Sequence, residues 1–144
     1  MLSALLDADA TFIVVGAHAL AVHGVPRATG DLDIWVRPDP ENATKVWDAL
    51  LAFGAPVEGM GLSLEDLTKS GTVFQIGLPP RRVDILTEID GITFDQAWPT
   101  RTVEKVGGLE VPFLGREALL QNKLASARPK DLADVEMLER RKKT

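Results

Sequence analysis

Residues 31–36 read DLDIWV, and this alternation constrains the fold more than any other segment of the chain. Successive side chains of a strand point to opposite faces of a sheet, so the apolar and the acidic residues would separate onto different faces. The apolar set is Leu32, Ile34 and Val36, and the opposite set is Asp31, Asp33 and Trp35. The segment therefore predicts a strand with a packed layer on one face and two carboxylates on the other.

Strand-like and helix-like segments follow one another irregularly along the rest of the chain. Strands are predicted at residues 11–15, 72–76 and 82–87, and Gly107-Gly108 predicts a hairpin between residues 102–106 and 109–113. Helices are predicted at residues 17–22, 39–54, 116–127 and 130–141, with a shorter helix capped by Ser63. Since regular strand–helix–strand alternation is absent, we predict an α+β fold with a mixed sheet flanked by helices. A C-terminal β-hairpin and two helices would complete a single domain of residues 1–144.

Composition excludes several classes of function. The chain has no cysteine, which removes thiol catalysis, disulfides and thiolate metal sites and fits a cytoplasmic location. Its net charge of −5 argues against a protein that coats nucleic acid. Residues 12–25 are apolar, but Asp7 and Asp9 precede them and no basic residue does, so they do not form a secretory signal. No run approaches the ~20 apolar residues of a membrane helix, and we expect no membrane partner.

The two acids of the DLD segment predict a metal site. On a strand they share a face at about 7 Å between Cα atoms, and their mutual repulsion needs compensation. A hard divalent cation such as Mg²⁺, or Mn²⁺ in its place, prefers oxygen ligands and is often held by one or two carboxylates plus substrate phosphates. The alternative is that Asp31 and Asp33 lie on a solvated strand face.

Asp84 supplies a third candidate carboxylate. It lies in VDIL, whose apolar neighbours predict an interior strand, and aspartate is costly there unless it has a partner. Together with Asp31 and Asp33 it would complete a site for one or two metal ions that clamp a phosphoryl displacement, or it would act as base for an incoming hydroxyl. The alternative is an ordinary acid on a strand surface.

Small residues follow the first predicted strand. Gly16, Ala17 and His18 form a strand-to-helix turn whose backbone N–H groups could approach phosphate oxygens. Tight turns of this kind also need glycine for conformational reasons alone. Arg27 and Thr29 precede the paired acids and suit a triphosphate, although Arg27 could instead neutralise Asp31.

Three separated blocks of the chain together resemble the nucleotidyltransferase superfamily with the DNA polymerase beta-like fold. The first is residues 14–36, VVGAHALAVHGVPRATGDLDIWV, where Ala17 replaces the second Gly or Ser of the family turn. The second is Asp84 in RVDIL. The third, Lys123 followed by Arg128-x-x-Asp131-x-x-Asp134, is most similar to the AbiEii toxin-like group and to small bacterial relatives of unassigned function.

This resemblance implies a nucleotidyltransferase fold, Mg²⁺ held by the three aspartates, and a nucleoside triphosphate such as ATP as donor. It further implies that Lys123 contacts the phosphates and that Arg128, Asp131 and Asp134 organise the C-terminal helices near the site. The residues alone allow a plainer interpretation, because Asp131 and Asp134 share a helix face and fit a helix-start charge network. Lys123 could likewise be a snorkelling lysine. His18 would touch the nucleotide, whereas His23 fits helix packing.

Three functions remain open at this point. The first is transfer of a nucleoside monophosphate from NTP to an acceptor hydroxyl on an RNA end, a protein or a small molecule, with a toxin–antitoxin role implied by analogy only. The second is a non-catalytic module that keeps the fold and binds nucleotide, RNA or a partner protein. The third is a metal-dependent phosphodiester hydrolase. The chain has little room for an acceptor-recognition domain, which favours a partner protein or a homodimer.

Overall fold

One mixed six-stranded sheet organises the residues that the structure describes. This computed structural model covers residues 1–26, 31–57, 59, 61–78 and 81–142. Within them the strand order is β3-β4-β2-β1-β6-β5. The strands are β1 Phe12–Val15, β2 Leu32–Val36, β3 Val73–Ile76, β4 Val83–Leu86, β5 Thr102–Val106 and β6 Leu109–Phe113. The predicted α+β class and mixed sheet are therefore confirmed, and the predicted C-terminal hairpin joins the sheet through β6, which pairs parallel to β1.

Helices cover both faces of this sheet. They are α1 Leu2–Asp7, α2 Gly16–Val22, α3 Pro40–Phe53, α4 Phe94–Ala97, α5 Arg116–Ser126 and α6 Pro129–Lys142, with 3-10 turns at Leu64–Thr68 and Trp98–Thr100. The start of α3 is fixed by Asp39, whose carboxylate accepts a hydrogen bond from the backbone N–H of Asn42 at 2.7 Å. Ser63 forms a capping box with Asp66, so the cap predicted at this position is confirmed. The segment that it caps is a 3-10 turn, where a short helix was predicted.

The register of β2 decides which acids can meet. β2 pairs antiparallel with β1 and parallel with β4, and in the second pairing Asp33 lies directly opposite Asp84. Neighbouring strands are about 4.8 Å apart, so these two carboxylates are placed side by side on one face. The antiparallel pairing of β3 with β4 leaves β4 inside the sheet, as the apolar neighbours of Asp84 predicted.

Two apolar cores lie on opposite faces of the sheet. Alternate residues of β2 enter different cores, as the sequence pattern predicted: Ile34 and Val36 pack under α1 and α3, while Trp35 packs under α2, α5 and α6. Since Asp33 and Trp35 share a strand face, the acids belong to the α2, α5 and α6 side of the sheet. The site is thus built where this second core opens to solvent.

Two short helices were not predicted. α1 has six residues and α4 has four, too few for a helical period to be recognised or for a helix to be stable alone. Tertiary packing holds them in place, because Leu5 of α1 is fully buried and Phe94 of α4 packs against Trp35. Within the described residues, no helix has both the length and the apolar character to cross a bilayer.

Candidate active site

The three aspartates lie in one cleft of about 640 Å³ at the ends of β2 and β4. Asp33 and Asp84 face each other on adjacent strands, and Asp31 comes just before β2. The same cleft is lined by residues of the turn after β1 and of the two C-terminal helices, among them Gly16, Ala17, Lys123, Arg128, Lys130 and Asp134. The fold therefore gathers residues that lie more than 100 positions apart in the chain.

Arg82 connects two of the three carboxylates. Its Nη2 atom donates to Oδ2 of Asp31 at 2.9 Å and lies 3.4 Å from Oδ2 of Asp84. Its Nε atom lies 3.0 Å from Oδ1 of Asp84. Arg82 was not among the site residues predicted from the sequence, although its position indicated a role, because a side chain two positions before Asp84 on a strand shares its face.

Asp33 has an unusual environment for a carboxylate. Burial raises its pKa to about 6, and the neighbouring charge of Asp84, a hydrogen bond shared with Asp84 and the charge of Asp31 act in the same direction. Arg82 opposes these effects but does not cancel them. Three carboxylates beside one guanidinium leave an excess of negative charge, which is the condition that a bound cation would relieve.

The donor set fits a hard cation once Arg82 moves. In the described part of the chain, no three acidic or histidine side chains are arranged to hold a metal ion as they stand. The guanidinium of Arg82 lies against the oxygens of Asp31 and Asp84 that such an ion would use. Oδ1 of Asp84 is buried and lies 3.0 Å from Nε of Arg82 without an aligned hydrogen bond from a described residue, so a metal ion there would replace an ion pair. Carboxylate oxygens are the ligands that Mg²⁺ and Mn²⁺ prefer.

Two features of the structure require a glycine at position 16: its backbone conformation and its close contact with Asp33. Its φ of +70° lies in the left-handed region, and a Cβ atom at this position would overlap Oδ2 of Asp33. The turn after β1 therefore brings backbone directly against a candidate metal ligand. Ala17 lines the same cleft, so the two turn residues that were predicted to bind nucleotide lie beside the acids.

Lys123 is held in a buried charge network between α5 and α6. Its Nζ atom lies 3.3 Å from Oδ1 of Asp131 and 3.3 Å from Oδ2 of Asp134. Arg128 reaches the other oxygen of Asp131 through Nε at 2.7 Å. Burial lowers the pKa of Lys123, and hydrogen bonding to Asp131 opposes that shift. Burial would raise the pKa of Asp131, but hydrogen bonds from Arg128 and Lys123 outweigh it and lower that pKa to about 2.

Two interpretations of the C-terminal residues, a charge network at a helix start and a nucleotide contact through Lys123, both fit this geometry. The two acids and Arg128 tie the start of α6 to α5, as a charge network would. Lys123 also lines the cleft that contains the three aspartates, so its side chain borders the space that a nucleotide would occupy.

The remaining predicted residues lie elsewhere. His18 does not line this cleft but a separate pocket of about 370 Å³, together with Val14 and Phe113. His18 therefore borders a different pocket from the one that contains the three aspartates, and its contact with a nucleotide stays a prediction. His23 shares a hydrogen bond with the backbone oxygen of Leu114 at 2.8 Å, in keeping with helix packing. The predicted positions Arg27 and Thr29 lie outside the described residues.

Comparison with known proteins supports the fold. No protein family matches the chain, and no curated protein sequence does either. A crystal structure from Thermotoga maritima, described as a "putative nucleotidyltransferase", matches with a TM-score of 0.56 over 96% of this chain and 88% of that chain. The two sequences are 17% identical, so the likeness concerns the fold. This chain has a nucleotidyltransferase-like α+β fold, with the mixed sheet and flanking helices that its sequence predicted.

Proposed function

We propose that the protein is a Mg²⁺-dependent nucleotidyltransferase, with Mn²⁺ as an alternative ion, that transfers a nucleoside monophosphate from NTP to an acceptor hydroxyl. One observation carries the proposal: Asp33 and Asp84 lie opposite each other with Asp31 beside them, in a cleft on a nucleotidyltransferase-like fold. The cleft also contains four cationic side chains, which suit a triphosphate. They are Arg82, Lys123, Arg128 and Lys130.

Asp31, Asp33 and Asp84 would hold the metal ion. When bound, the ion would neutralise charge on the triphosphate and on the leaving group. Gly16 and Ala17 would bring backbone N–H groups to the phosphate oxygens, and Lys123 would contribute positive charge from α5. Arg82, displaced from the acids, would be free to donate to the triphosphate. Most of the catalysis would come from positioning and charge stabilisation, as is usual for phosphoryl transfer.

The bond changes of the proposed transfer involve the NTP, the acceptor hydroxyl and one carboxylate of this chain. The acceptor hydroxyl oxygen attacks the α-phosphorus, an oxygen–phosphorus bond forms, and the bond from the α-phosphorus to the bridging oxygen breaks. Pyrophosphate leaves with the electron pair of that bond. The hydroxyl proton passes to the carboxylate of Asp84, which is the interior member of the three acids.

The test compares Asp33→Asn with Asp48→Asn, an exposed aspartate on α3 far from the cleft in the fold. Each protein is incubated with Mg²⁺ and α-labelled ATP, GTP, CTP or UTP, and metal-dependent nucleotide binding and release of pyrophosphate are measured. The wild type and Asp48→Asn should bind NTP only when metal is present. Asp33→Asn should show no metal-dependent binding of NTP. If the wild type shows no metal-dependent binding of NTP, the proposed function is refuted.

A second candidate is a nucleotide-binding module without transfer. The contacts of Arg82 with Asp31 and Asp84 favour it, because an arginine that stays on these acids would block a metal ion. This module would bind NTP equally well with and without Mg²⁺ and would release no pyrophosphate. The same assay therefore separates the two functions.

We further propose membership of the AbiEii toxin-like group and a toxin–antitoxin role, acting in the cytoplasm with a partner protein or as a homodimer. The Lys123 and Arg128-x-x-Asp131-x-x-Asp134 arrangement supports the grouping, since these residues form one connected network. Induced expression should then arrest growth, and Asp33→Asn should abolish the arrest. Growth unaffected by the wild-type protein at matched expression would refute the toxin role.

A further inference from the structure

A pocket of about 370 Å³, which we call the His18 pocket, lies at the same end of the sheet as the three aspartates but against the opposite face. Its floor is made by the ends of four neighbouring strands, β4, β2, β1 and β6. Val14, Val83 and Phe113 from these strands belong to the apolar core that packs under α1 and α3. Since the aspartates lie on the other face, the sheet separates this pocket from the candidate active site.

Apolar side chains make most of the wall of the His18 pocket. Leu32 and Val83 lie opposite each other in the pairing of β2 with β4 and both line it. Leu2 of α1 borders it as well, and so does Val106 at the end of β5. Val106 is 41% exposed, so the apolar surface continues to the rim of the pocket. The pocket therefore favours a ligand with an apolar body, because burying both surfaces removes them from water.

Two side chains of the pocket, Arg81 and His18, are placed to bind an anion. Arg81 is exposed, and neither its guanidinium nor the imidazole of His18 forms a hydrogen bond or ion pair within the described part of the chain. Arg82 also borders the pocket, but its guanidinium contacts Asp31 and Asp84. No acid is among the described residues that line the pocket. One uncommitted guanidinium thus lies beside an apolar surface.

The charge of this pocket matches a single carboxylate better than a phosphate. A guanidinium pairs with a planar carboxylate through two parallel, charge-assisted hydrogen bonds. A phosphate monoester carries about −1.5 to −2 charges at pH 7, and one arginine would leave part of that charge unbalanced against apolar walls. The pocket therefore suits a ligand with one negative charge at the rim and an apolar body inside.

We propose that the His18 pocket binds a small apolar monocarboxylic acid, such as a medium-chain fatty acid. The carboxylate would lie at the rim and accept hydrogen bonds from Arg81 and from the imidazole N–H of His18. The hydrocarbon chain would extend along Leu32 and Val83 towards the floor of the pocket. This site is distinct from the one that contains the aspartates, so the proposal does not depend on nucleotide transfer.

The test titrates the protein with octanoate at pH 7, without metal or nucleotide, and follows binding by calorimetry. Octanoate should bind saturably, and octanol, which has the same chain without the charge, should bind at least tenfold more weakly. Octyl phosphate should also bind more weakly. The chain has two histidines, so nuclear magnetic resonance supplies an internal control. The ring signals of His18 should shift with octanoate, and those of His23, which does not line the pocket, should not.

Three variants locate the ligand. Arg81→Gln keeps a long polar side chain without the charge and should bind octanoate about tenfold more weakly. Val106→Trp, at the partly exposed rim, should obstruct the pocket and also weaken binding at least tenfold. Arg140→Gln removes an exposed arginine of α6 and should bind as the wild type does. The inference is overturned if octanoate does not bind saturably, if octanol or octyl phosphate binds as tightly, or if Arg81→Gln or Val106→Trp matches the wild type.

Discussion

Replacing Asp33 with asparagine should stabilise the metal-free protein at neutral pH while it abolishes metal binding. The reason is that the carboxylate of Asp33 lies partly buried beside Asp84 and Asp31, an environment that raises its pKa from 3.8 to about 6. At pH 7 the folded protein must keep this group ionised against that cost. An asparagine of similar shape has no charge to repel the neighbouring acids.

The magnitude follows from the pKa shift of Asp33. A difference of about two units corresponds to roughly 3 kcal/mol, at about 1.4 kcal/mol per unit. Because the side chain is only partly buried, solvent screening reduces this figure, and we expect about 1–2 kcal/mol. For a chain of this length the melting temperature of Asp33→Asn should exceed that of the wild type by about 3–6 °C.

The direction of the pH dependence is fixed by the same shift. Between pH 3.8 and about 6 the folded protein binds more protons at Asp33 than the unfolded chain does. The free energy of unfolding of the wild type should therefore fall as pH rises through this window and stay level, for this group, above it. The advantage of Asp33→Asn should be absent below pH ~4, grow up to pH ~6 and then remain constant.

Chemical denaturation at a series of pH values, in the presence of a chelator, measures this difference directly. Asp48→Asn, exposed on α3, serves as control and should follow the wild type at every pH. Adding Mg²⁺ should raise the stability of the wild type and not that of Asp33→Asn, since a ligand stabilises only a state that binds it. A destabilised Asp33→Asn at pH 7, or a difference that does not vary with pH, would refute the reasoning.

Three further changes test the neighbouring contacts. In calorimetry without nucleotide, Arg82→Ala should bind Mn²⁺ about tenfold more tightly than the wild type does. The reason is that the substitution removes a cation that competes with the metal ion for Asp31 and Asp84. Equal affinity would show that Arg82 does not compete. Gly16→Ala should cost about 2–3 kcal/mol in thermal unfolding, since φ is +70° and the new methyl group would overlap Asp33; a neutral change would contradict that contact. Lys123→Met should cost about 3 kcal/mol by leaving buried acids short of a partner, and Lys123→Met with Asp131→Asn should recover part of that loss. An additive double variant would argue against a shared network.

Local pattern was sufficient to predict most of the fold. The alternation in residues 31–36 assigned Ile34 and Trp35 to opposite faces of β2, and the two cores confirm it. The hairpin around Gly107-Gly108 and the cap at Ser63 depend on residues close together in sequence, so both were predictable without the fold. Helices α1 and α4 were missed because each is held by packing across the sheet rather than by its own periodicity.

For the candidate site too, the sequence predicted some features and could not predict others. The spacing of Asp31 and Asp33 placed both on one strand face, and the strand context of Asp84 predicted an interior position. Sequence could not reveal that Arg82 would lie between two of these acids. It also could not separate His18 from the cleft, because which side of α2 faces Asp33 depends on how the helix packs on β1 and β2.

The sequence by itself determined which side chains share a strand face or a helix turn, because those relations follow from backbone periods of two and 3.6 residues. Only the tertiary structure decided that β2 lies beside β4 in the register that places Asp33 opposite Asp84, and that α5 brings Lys123 to the same cleft. Such pairings join segments about 50 to 90 residues apart. They are chosen by how the two cores pack on the sheet, which no local pattern encodes.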